Sequence, residues 1–469
     1  MALPSASPRD LFFYFSSLRD PPWSSVRPVR TSSIPHSAFL IPNSLCVPRV
    51  LCVSFFYSVF SSLYGLAVLR DKILSSNLAY FPVTGFLCKI TNMNKKVGIE
   101  RCPSYEGEEL YRALKRAVEL AGGLDVAGKT VLLKPNILAD SPPEKAVTTH
   151  PAFLEAAIRL VREMGASRIL AGDSPGLQTP GFSGRVSGLG EAAKKNGAEW
   201  VDFTKEKTEL SCAEGKAVKK FTLSHVVRDA DVIISLPKLK THQLMYFTGA
   251  MKNMFGLVPS VAKSSFHVRF ASREAFASMI VDLNLAVKPA YAFMDAVVGM
   301  EGAGPSGGDK RQIGLVLASS NLLALDVAAT TIIGYPPEAI PVNRDALGRK
   351  YWLAGFGEIE YPGLSPSELR IPDFVKIPFK ESGSQFADFI LPGAFKRFRD
   401  SRATGPEINH SVCTRCGDCS RICSSKAISL TDGRMIIDYG RCIRCFCCHE
   451  ICPSKAIDIT RKPRNKSGS

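Results

Sequence analysis

The spacing of apolar residues changes repeatedly between strand-like and helix-like along residues 93–378. KTVLLKPN and ADVIISLPKLKTH are short, nearly continuous apolar runs, which are typical of strands buried on both faces. EELYRALKRAVELAGG has the spacing of an amphipathic helix, whose apolar face is formed by Leu110, Leu114, Val118 and Ala121. The alternation predicts an α/β domain with a mostly parallel sheet and helices on both faces.

Further segments continue this alternation toward the C-terminus. PAFLEAAIRLVREMGA predicts a helix with Pro151 in its first turn and Gly165 at its end, and NLLALDVAATTIIG predicts another helix. SRILAGDSPG, PAYAFMDAVVGMEGAGPSGG and IGLVLAS predict strands that lead into loops. The same kind of domain is therefore expected over the whole range.

Polar residues collect near the ends of the predicted strands, and open α/β sheets bind their ligands at the carboxyl ends of parallel strands. We expect one rim to be formed by Lys134, Asn136, His150, Asp173, Ser174, Lys238, Lys240, His242, Lys252, Asn253, Asp295 and Glu301. Lysines, short polar residues and the glycine-rich GMEGAGPSGG favour an anionic ligand such as a phosphate or carboxylate. Two histidines with several carboxylates equally suit a divalent metal. No catalytic nucleophile follows from the spacing.

The composition limits the number of domains and the kinds of partner. The 469 residues suffice for two or three domains, and 45% of them are hydrophobic. The net charge is +16, yet the basic residues are spread along the chain except in the tail RKPRNK. Since no nucleic-acid-binding motif accompanies this charge, we expect no nucleic-acid partner.

Residues 1–92 differ in composition from the rest of the chain, because they contain no glutamate and are rich in Ser, Phe, Leu and Pro. Their charge-free stretch Val50–Leu69 is long enough to cross a bilayer, but it contains four serines. Three interpretations stay open: a membrane anchor, a targeting peptide, or a start-site artefact with translation beginning at Met93. We favour the third, because ordinary composition begins abruptly at MNKKVGIE.

Nine of the 14 cysteines are crowded between Cys413 and Cys452, which indicates metal binding in a reducing cytoplasm rather than a disulfide scaffold. Eight of them form two C-x-x-C-x-x-C-x-x-x-C runs that repeat at an offset of 29 residues: Cys413, Cys416, Cys419 and Cys423, then Cys442, Cys445, Cys448 and Cys452. This duplication, with Pro453 after the second run, favours iron–sulfur clusters over zinc. We interpret Cys447, the remaining thiol, as a free buried cysteine beside a cluster.

These runs make residues 406–462 resemble the bacterial two-cluster ferredoxin, a small α+β domain. The resemblance implies two [4Fe–4S] clusters with crossed ligation. One cluster would be held by Cys413, Cys416, Cys419 and Cys452, and the other by Cys442, Cys445, Cys448 and Cys423. Ser424 departs from the pattern where a proline is expected, which affects the turn more than the ligation. Residues 463–469 are expected to form a basic tail.

The segment 379–405 between the two predicted domains is interpreted as a linker. Its apolar residues alternate with basic ones, and Pro392 interrupts any helix. We expect its phenylalanines to dock the C-terminal domain onto the α/β domain, although the segment also suits a membrane surface.

Six motifs occur in the order LLKPNIL, TTHP, GDSPG, LPKLKTH, GAMKNMFG and GMEGAGPSGG. Together they resemble the prokaryotic family catalogued as domain of unknown function number 362, over roughly residues 93–378. Members of this family often carry a C-terminal ferredoxin domain. The family has no settled catalytic activity, so the resemblance supports the domain assignment and leaves the reaction open.

The combined features predict an oxygen-sensitive, cytoplasmic iron–sulfur protein suited to an anaerobe. Its two clusters would pass electrons to or from a ligand at the α/β rim, and an unidentified redox partner would complete the transfer. We expect a redox enzyme, an oxidoreductase, or a dedicated electron-transfer subunit. The alternative is a redox-sensing binding or maturation factor without turnover. Membrane attachment is expected only if residues 50–69 are a genuine anchor.

Overall fold

A nine-stranded mixed sheet forms the centre of the α/β domain in a computed structural model, which describes residues 94–177, 180–379 and 404–461. Its strands are β1 Gly98–Arg101, β2 Thr130–Pro135, β3 Arg168–Ala171, β4 Glu199–Trp200, β7 Val232–Leu236, β8 Lys238–His242, β9 Tyr246–Phe247, β10 Tyr291–Glu301 and β11 Asp309–Ser319. The main path runs β1–β11–β10–β7–β2–β3–β4, and β8 pairs with both β10 and β9. A separate hairpin is formed by β5 Lys207–Ser211 and β6 Lys220–Ser224.

Helices connect these strands. They are α1 Gly107–Leu120, α2 Pro151–Glu163, α3 Pro180–Val186, α4 Leu189–Lys195, α5 Val226–Asp229, α6 Ala250–Asn253, α7 Ser260–Arg269, α8 Arg273–Val287, α9 Leu322–Ile332 and α10 Pro341–Arg349. Single 3₁₀ turns occur at Pro143–Lys145, Met254–Leu257, Pro337–Ala339 and Phe356–Glu358.

Both faces of the sheet are covered, as the sequence predicts. Val131 and Leu133 of β2 pack with α1 and α2 in one apolar core, whereas Leu132 faces the other core with α8 and α9. The sheet is mostly parallel, because β2, β3, β4, β7 and the first part of β10 run in one direction. β1 and β11 are antiparallel to their neighbours, a direction that the apolar pattern alone did not indicate.

The C-terminal residues 404–461 form a small cysteine module in the same compact unit as the α/β domain. It contains β12 Thr404–Ile408, α11 Asp418–Ile422, β13 Ile428–Thr431, β14 Arg434–Ile437, α12 Cys447–Ile451 and β15 Ile457–Arg461. The sequence repeat is also a backbone repeat. Positive φ angles recur at the 29-residue offset in the pairs Arg415 and Arg444, Gly417 and Phe446, and Lys426 and Lys455.

Several predicted segments lie outside the described residues. These are the extension 1–92, the linker apart from its ends at Phe379, Thr404 and Gly405, and the basic tail. Across the described residues, the longest apolar helices are too short to span a bilayer. Val50–Leu69 falls outside that range.

The segment GAMKNMFG is fixed by a buried carboxylate. Asp326 on α9 accepts hydrogen bonds from the backbone N–H groups of Ala250, at 2.6 Å, and Met251, at 3.1 Å. Gly249 is required before them, because its φ is +75° and a Cβ there would lie 2.3 Å from Asp326 Oδ1. Burial raises the pKa of Asp326 to about 7.

Replacement of Asp326 by Asn tests this placement through the pH dependence of stability. A carboxyl pKa raised from 3.8 to about 7 gives a stability contribution that is present below pH 3.8 and lost as the pH rises through 7. We expect the difference in free energy of unfolding, wild type minus Asp326→Asn, to fall by on the order of a few kcal/mol between pH 4 and 8. Unfolding followed by circular dichroism across this range measures the difference.

Asp125→Asn is the matched control. The exposed Asp125 pairs with Lys129 at 2.6 Å, and this hydrogen bond lowers its pKa, so it stays ionised above pH 4. The difference in free energy of unfolding between wild type and Asp125→Asn should stay constant between pH 4 and 8. A flat difference for Asp326→Asn as well would contradict the buried position of Asp326.

Candidate functional site

A cavity of about 100 Å³, the central cavity, lies between the α/β domain and the cysteine module. Its polar lining comes from the loops after β2 and β3, from α6 and α7, and from α12: Asn136, Asp173, Lys252, Asn253, Lys263, His267, Cys447 and Glu450. Four of these residues belong to the rim predicted from the sequence. The structure therefore places part of that rim against the module.

Lys134 and Asp173 form a buried ion pair directly behind the cavity wall. The Lys134 Nζ lies 2.8 Å from Asp173 Oδ1, and it also donates to the Pro135 carbonyl and to Asn253 Oδ1. Asp173 in turn accepts from the backbone N–H groups of Ile137 and Ser174. Burial lowers the pKa of Lys134, and the charge of Asp173 opposes that shift. Because their hydrogen-bonding capacity is used, this pair supports the site rather than binding a ligand.

Lys240 and His242 lie on β8 and reach toward the module. Lys240 Nζ donates to the Val147 carbonyl at 2.6 Å, and burial together with the charge of Lys252 lowers its pKa to about 7. His242 Nδ1 accepts the N–H of Leu244, so a neutral ring carries its proton on Nε2. That Nε2 lies 3.3 Å from Glu450 Oε1 on α12 without the geometry of a hydrogen bond.

Sequence reasoning missed Lys263 and His267, which α7 presents to the cavity. Lys263 donates to the Ser174 carbonyl, and burial lowers its pKa to about 8. The His267 ring stacks on Phe276 at 4.6 Å, and burial lowers its pKa to about 3. Their spacing of four residues, one helical turn, was the signal that could have found them.

Three other predicted rim residues form a separate buried cluster. Lys238 Nζ lies 2.9 Å from Asp295 Oδ2 and 2.6 Å from the Tyr105 hydroxyl, which donates to Asp295 Oδ1. The backbone N–H of His150 donates to Asp295 Oδ2. The imidazole ring of His150 stacks on the ring of Tyr105, with the ring centroids 3.7 Å apart. These groups satisfy one another, so the structure assigns them to holding α2 against β8 and β10.

Glu301 occupies a third position, away from the cavity lining. Its Oε2 accepts the backbone N–H of Val375, and its Oε1 lies 3.7 Å from Arg311. The remaining predicted residue, Ser174, contributes its carbonyl oxygen to Lys263. The predicted rim is thus divided among the central cavity, its supports and two structural clusters.

The thiols of the cysteine module gather in two groups. Cys413, Cys416, Cys419 and Cys452 line one small pocket. Cys442, Cys445, Cys448 and Cys423 form the second group, because the charges of Cys423 and Cys445 raise the pKa of both Cys442 and Cys448. The charge of Cys419 also reaches Cys448, so the two groups are neighbours. Each group combines three cysteines of one run with the last cysteine of the other.

Cys447 lies between the second thiol group and the central cavity. Its thiol hydrogen-bonds that of Cys445, which lowers the pKa of Cys445 and raises the pKa of Cys447. It is buried and lines the cavity together with Glu450 and Ile451. The cavity and the second thiol group are therefore separated by a single side chain.

Within residues 94–177, 180–379 and 404–461, no three His, Cys, Asp or Glu side chains are placed to hold one metal ion together. The histidines and carboxylates expected at the rim do not meet at such a point. Both expected ligands of the rim, a divalent metal and an anion, stay predictions.

Comparison with known sequences shows which protein family the chain resembles. The profile of domain of unknown function 362 matches residues 131–331. A thylakoid-associated protein of Synechocystis sp. is 32% identical over 320 residues, which are 65% of this chain and 95% of that protein. The chain belongs to the domain of unknown function 362 family. The match runs from β2 to α9 and ends before the cysteine module, so it covers a shorter range than the motifs suggested.

Among solved structures, the lactate racemase apoprotein from Thermoanaerobacterium thermosaccharolyticum shows a partial likeness. The alignment has a TM-score of 0.34 and 12% sequence identity, and it covers 48% of this chain and 54% of that one. A likeness at this level carries no conclusion about activity.

Gly256→Ala tests the buried pair behind the cavity. A Cβ at Gly256 would lie 2.0 Å from Asp173 Oδ1 and 2.4 Å from Lys134 Nζ, so the pair must separate. We expect the variant to lose about 2–4 kcal/mol of unfolding free energy, measured by urea denaturation.

Gly357→Ala is the control, because a Cβ there meets no atom within 4 Å. It should unfold at the wild-type urea concentration. Equal stability of the two variants would show that the pair is not packed against Gly256.

Proposed function

We propose that the protein is an iron–sulfur electron-transfer protein that holds two [4Fe–4S] clusters and exchanges electrons with an anionic ligand in the central cavity. The observation that carries this proposal is the grouping of the thiols. Eight cysteines form two adjacent sets of four, and each set is completed by a cysteine from the other run. Four cysteine thiolates are the ligand set of a [4Fe–4S] cluster.

The donor chemistry fits clusters better than single ions. A zinc ion needs four ligands about 2.0–2.3 Å from one point. The four cysteines of the first set are instead spread around the lining of one pocket. A four-iron cluster attaches each thiolate to a different iron, so thiols arranged around a pocket suit it. When bound, such a cluster supplies one-electron transfer at a potential set by burial and nearby charge.

The residues around the second thiol set fit a role in exchange with the cavity. Cys448 and Phe446 are buried, which shields the set from solvent. Cys447 and Glu450 on the same turn face the cavity, so a ligand there would lie beside the set. Short separation between donor and acceptor is the main structural requirement that the protein can supply for electron exchange.

We propose a cytoplasmic location and an unidentified redox partner, because cluster-binding thiols need a reducing compartment. The Synechocystis relative is described as thylakoid-associated, which favours a membrane surface for that protein. Fractionation of native cells decides between the two locations for this chain.

The iron content of cysteine variants tests the proposal. Anaerobically purified wild type should hold about eight iron and eight acid-labile sulfide atoms per chain. Cys416→Ala and Cys445→Ala each remove one ligand from a different set, so each should retain about half of the iron. Elemental analysis and the paramagnetic signal after dithionite measure both quantities.

Cys447→Ala is the matched control within the module, and Cys212→Ala, at a buried thiol of the α/β domain, is the control outside it. Both should keep the wild-type iron content. Protein that holds zinc and no sulfide, or full iron in both ligand variants, would contradict the proposal.

Turnover separates an enzyme from the alternative, a redox-sensing binding or maturation factor. Clusters reduced by dithionite should reoxidise faster when the right member of a panel of organic acids is added, and Lys252→Met should slow that step. Reoxidation at one rate across a panel whose members bind would favour the sensor. Stopped-flow absorbance at the cluster band follows the reaction.

A further inference from the structure

Unpartnered polar atoms converge on the central cavity. Within the described part of the chain, Asn136 Oδ1, His267 Nδ1 and Glu450 Oε1 are buried and have no hydrogen-bond partner. All three residues line the cavity. Because more than nine-tenths of buried polar groups in folded proteins are hydrogen-bonded, three such atoms in one cavity indicate a polar ligand.

Lys252 supplies the positive charge that this ligand would meet. The described residues give its Nζ no hydrogen bond and no ion pair, whereas Lys134, Lys240 and Lys263 each donate to an oxygen atom. Lys252 lines the cavity, and its charge lowers the pKa of Lys240 and His267. Burial lowers the pKa of Lys252, and an anion at this position would restore the charged form.

The charge balance favours a single negative charge on the ligand. Lys134 and Asp173 neutralise each other. Among the residues that line the cavity, Lys252 and Lys263 then face one carboxylate, Glu450, which leaves one positive charge in excess, and Lys240 outside the lining adds only part of a charge because its pKa is lowered to about 7. A doubly charged phosphate would keep one charge uncompensated in a buried site, which is costly.

Apolar residues form the rest of the wall. They are Ile137, Leu138, Phe255, Ile422 and Ile451. Ile422 and Ile451 come from α11 and α12 of the module. Their Cδ1 atoms lie 3.9 and 3.6 Å from the point that a Cβ added to Gly176 would occupy. A bare inorganic anion would leave this wall in contact with water, so an apolar ligand body is favoured.

We propose that the central cavity binds an organic monocarboxylate with an apolar body. Lys252 holds the carboxylate, His267 donates to it from Nδ1 and Asn136 from its amide Nδ2, and the body lies against Phe255 and the two module isoleucines. The site thereby uses both the α/β domain and the cysteine module. As a substrate site it rests on the proposed function, whereas binding itself is measured independently of electron transfer.

Calorimetric titration of the full chain, purified anaerobically, tests the proposal. The probes are straight-chain carboxylates from acetate to octanoate and the alkanols of the same length. We expect affinity for the carboxylates to rise about threefold to fourfold per methylene until the body fills the cavity. Each alkanol should bind at least about tenfold more weakly than its carboxylate.

Lys252→Met should reduce the affinity for octanoate at least about tenfold and leave that for octanol unchanged. Lys252→Arg keeps the charge and should retain the preference for octanoate, which separates loss of charge from loss of folding. Lys115→Met, at an exposed lysine of α1, is the matched control and should bind as wild type does.

Equal affinity for octanoate and octanol, or wild-type binding by Lys252→Met, would overturn the inference. Binding of inorganic phosphate as tight as that of octanoate would do the same. Iron is measured on each sample. Octanoate binding by protein without clusters would overturn the electron-transfer function alone, and cluster-loaded protein without affinity for carboxylates would overturn this inference alone.

Discussion

The Lys134–Asp173 ion pair is the interaction on which the site depends. It is almost inaccessible to water, and removal of one partner from such a pair commonly costs about 3–5 kcal/mol because the other charge stays buried. The pair links β2 to the loop after β3, and Asn253 extends the link to α6. Gly256 is compatible with it only because it lacks a side chain. The polar wall of the cavity is therefore positioned by charges that pair with each other.

The buried lysines of the rim are of two kinds: some are paired with a carboxylate of the fold, and others have no such pair in the described part of the chain. Lys238 is paired with Asp295, and Lys134 with Asp173, and each counterion offsets part of the cost of burying the lysine. Within the described residues Lys252 has no such ion pair, and the carboxylate whose charge opposes the lowering of its pKa is Glu450 of the module. A ligand that carries a negative charge would supply the counterion and the hydrogen-bond acceptor that Lys252 lacks within the described residues.

The order of helices and strands and the backbone repeat of the module could be predicted from the sequence, because apolar spacing and cysteine spacing are local properties. The approach of Asn136 and Asp173 followed from one rule, that parallel strands end at the same edge. The same rule could not show that Lys238 and Asp295 neutralise each other. It also missed Lys263 and His267, because they come from a helix rather than a strand end. Partner choice among buried charges depends on packing between distant segments, which spacing does not encode.

The short helix α12 connects the thiols to the cavity. Cys448 points to the second thiol set while Cys447, Glu450 and Ile451 face the cavity, so one helical turn serves both sites. His449 on the same turn has Nε2 3.0 Å from the Ala303 carbonyl, which ties α12 to the loop between β10 and β11. Five residues alone are too few to form a stable helix. Any group that orders the thiols must therefore also order the cavity wall, and by reciprocity a ligand that packs on Ile451 must favour the ordered thiols. Coupling between the two sites is a consequence of shared backbone rather than of a separate signalling element.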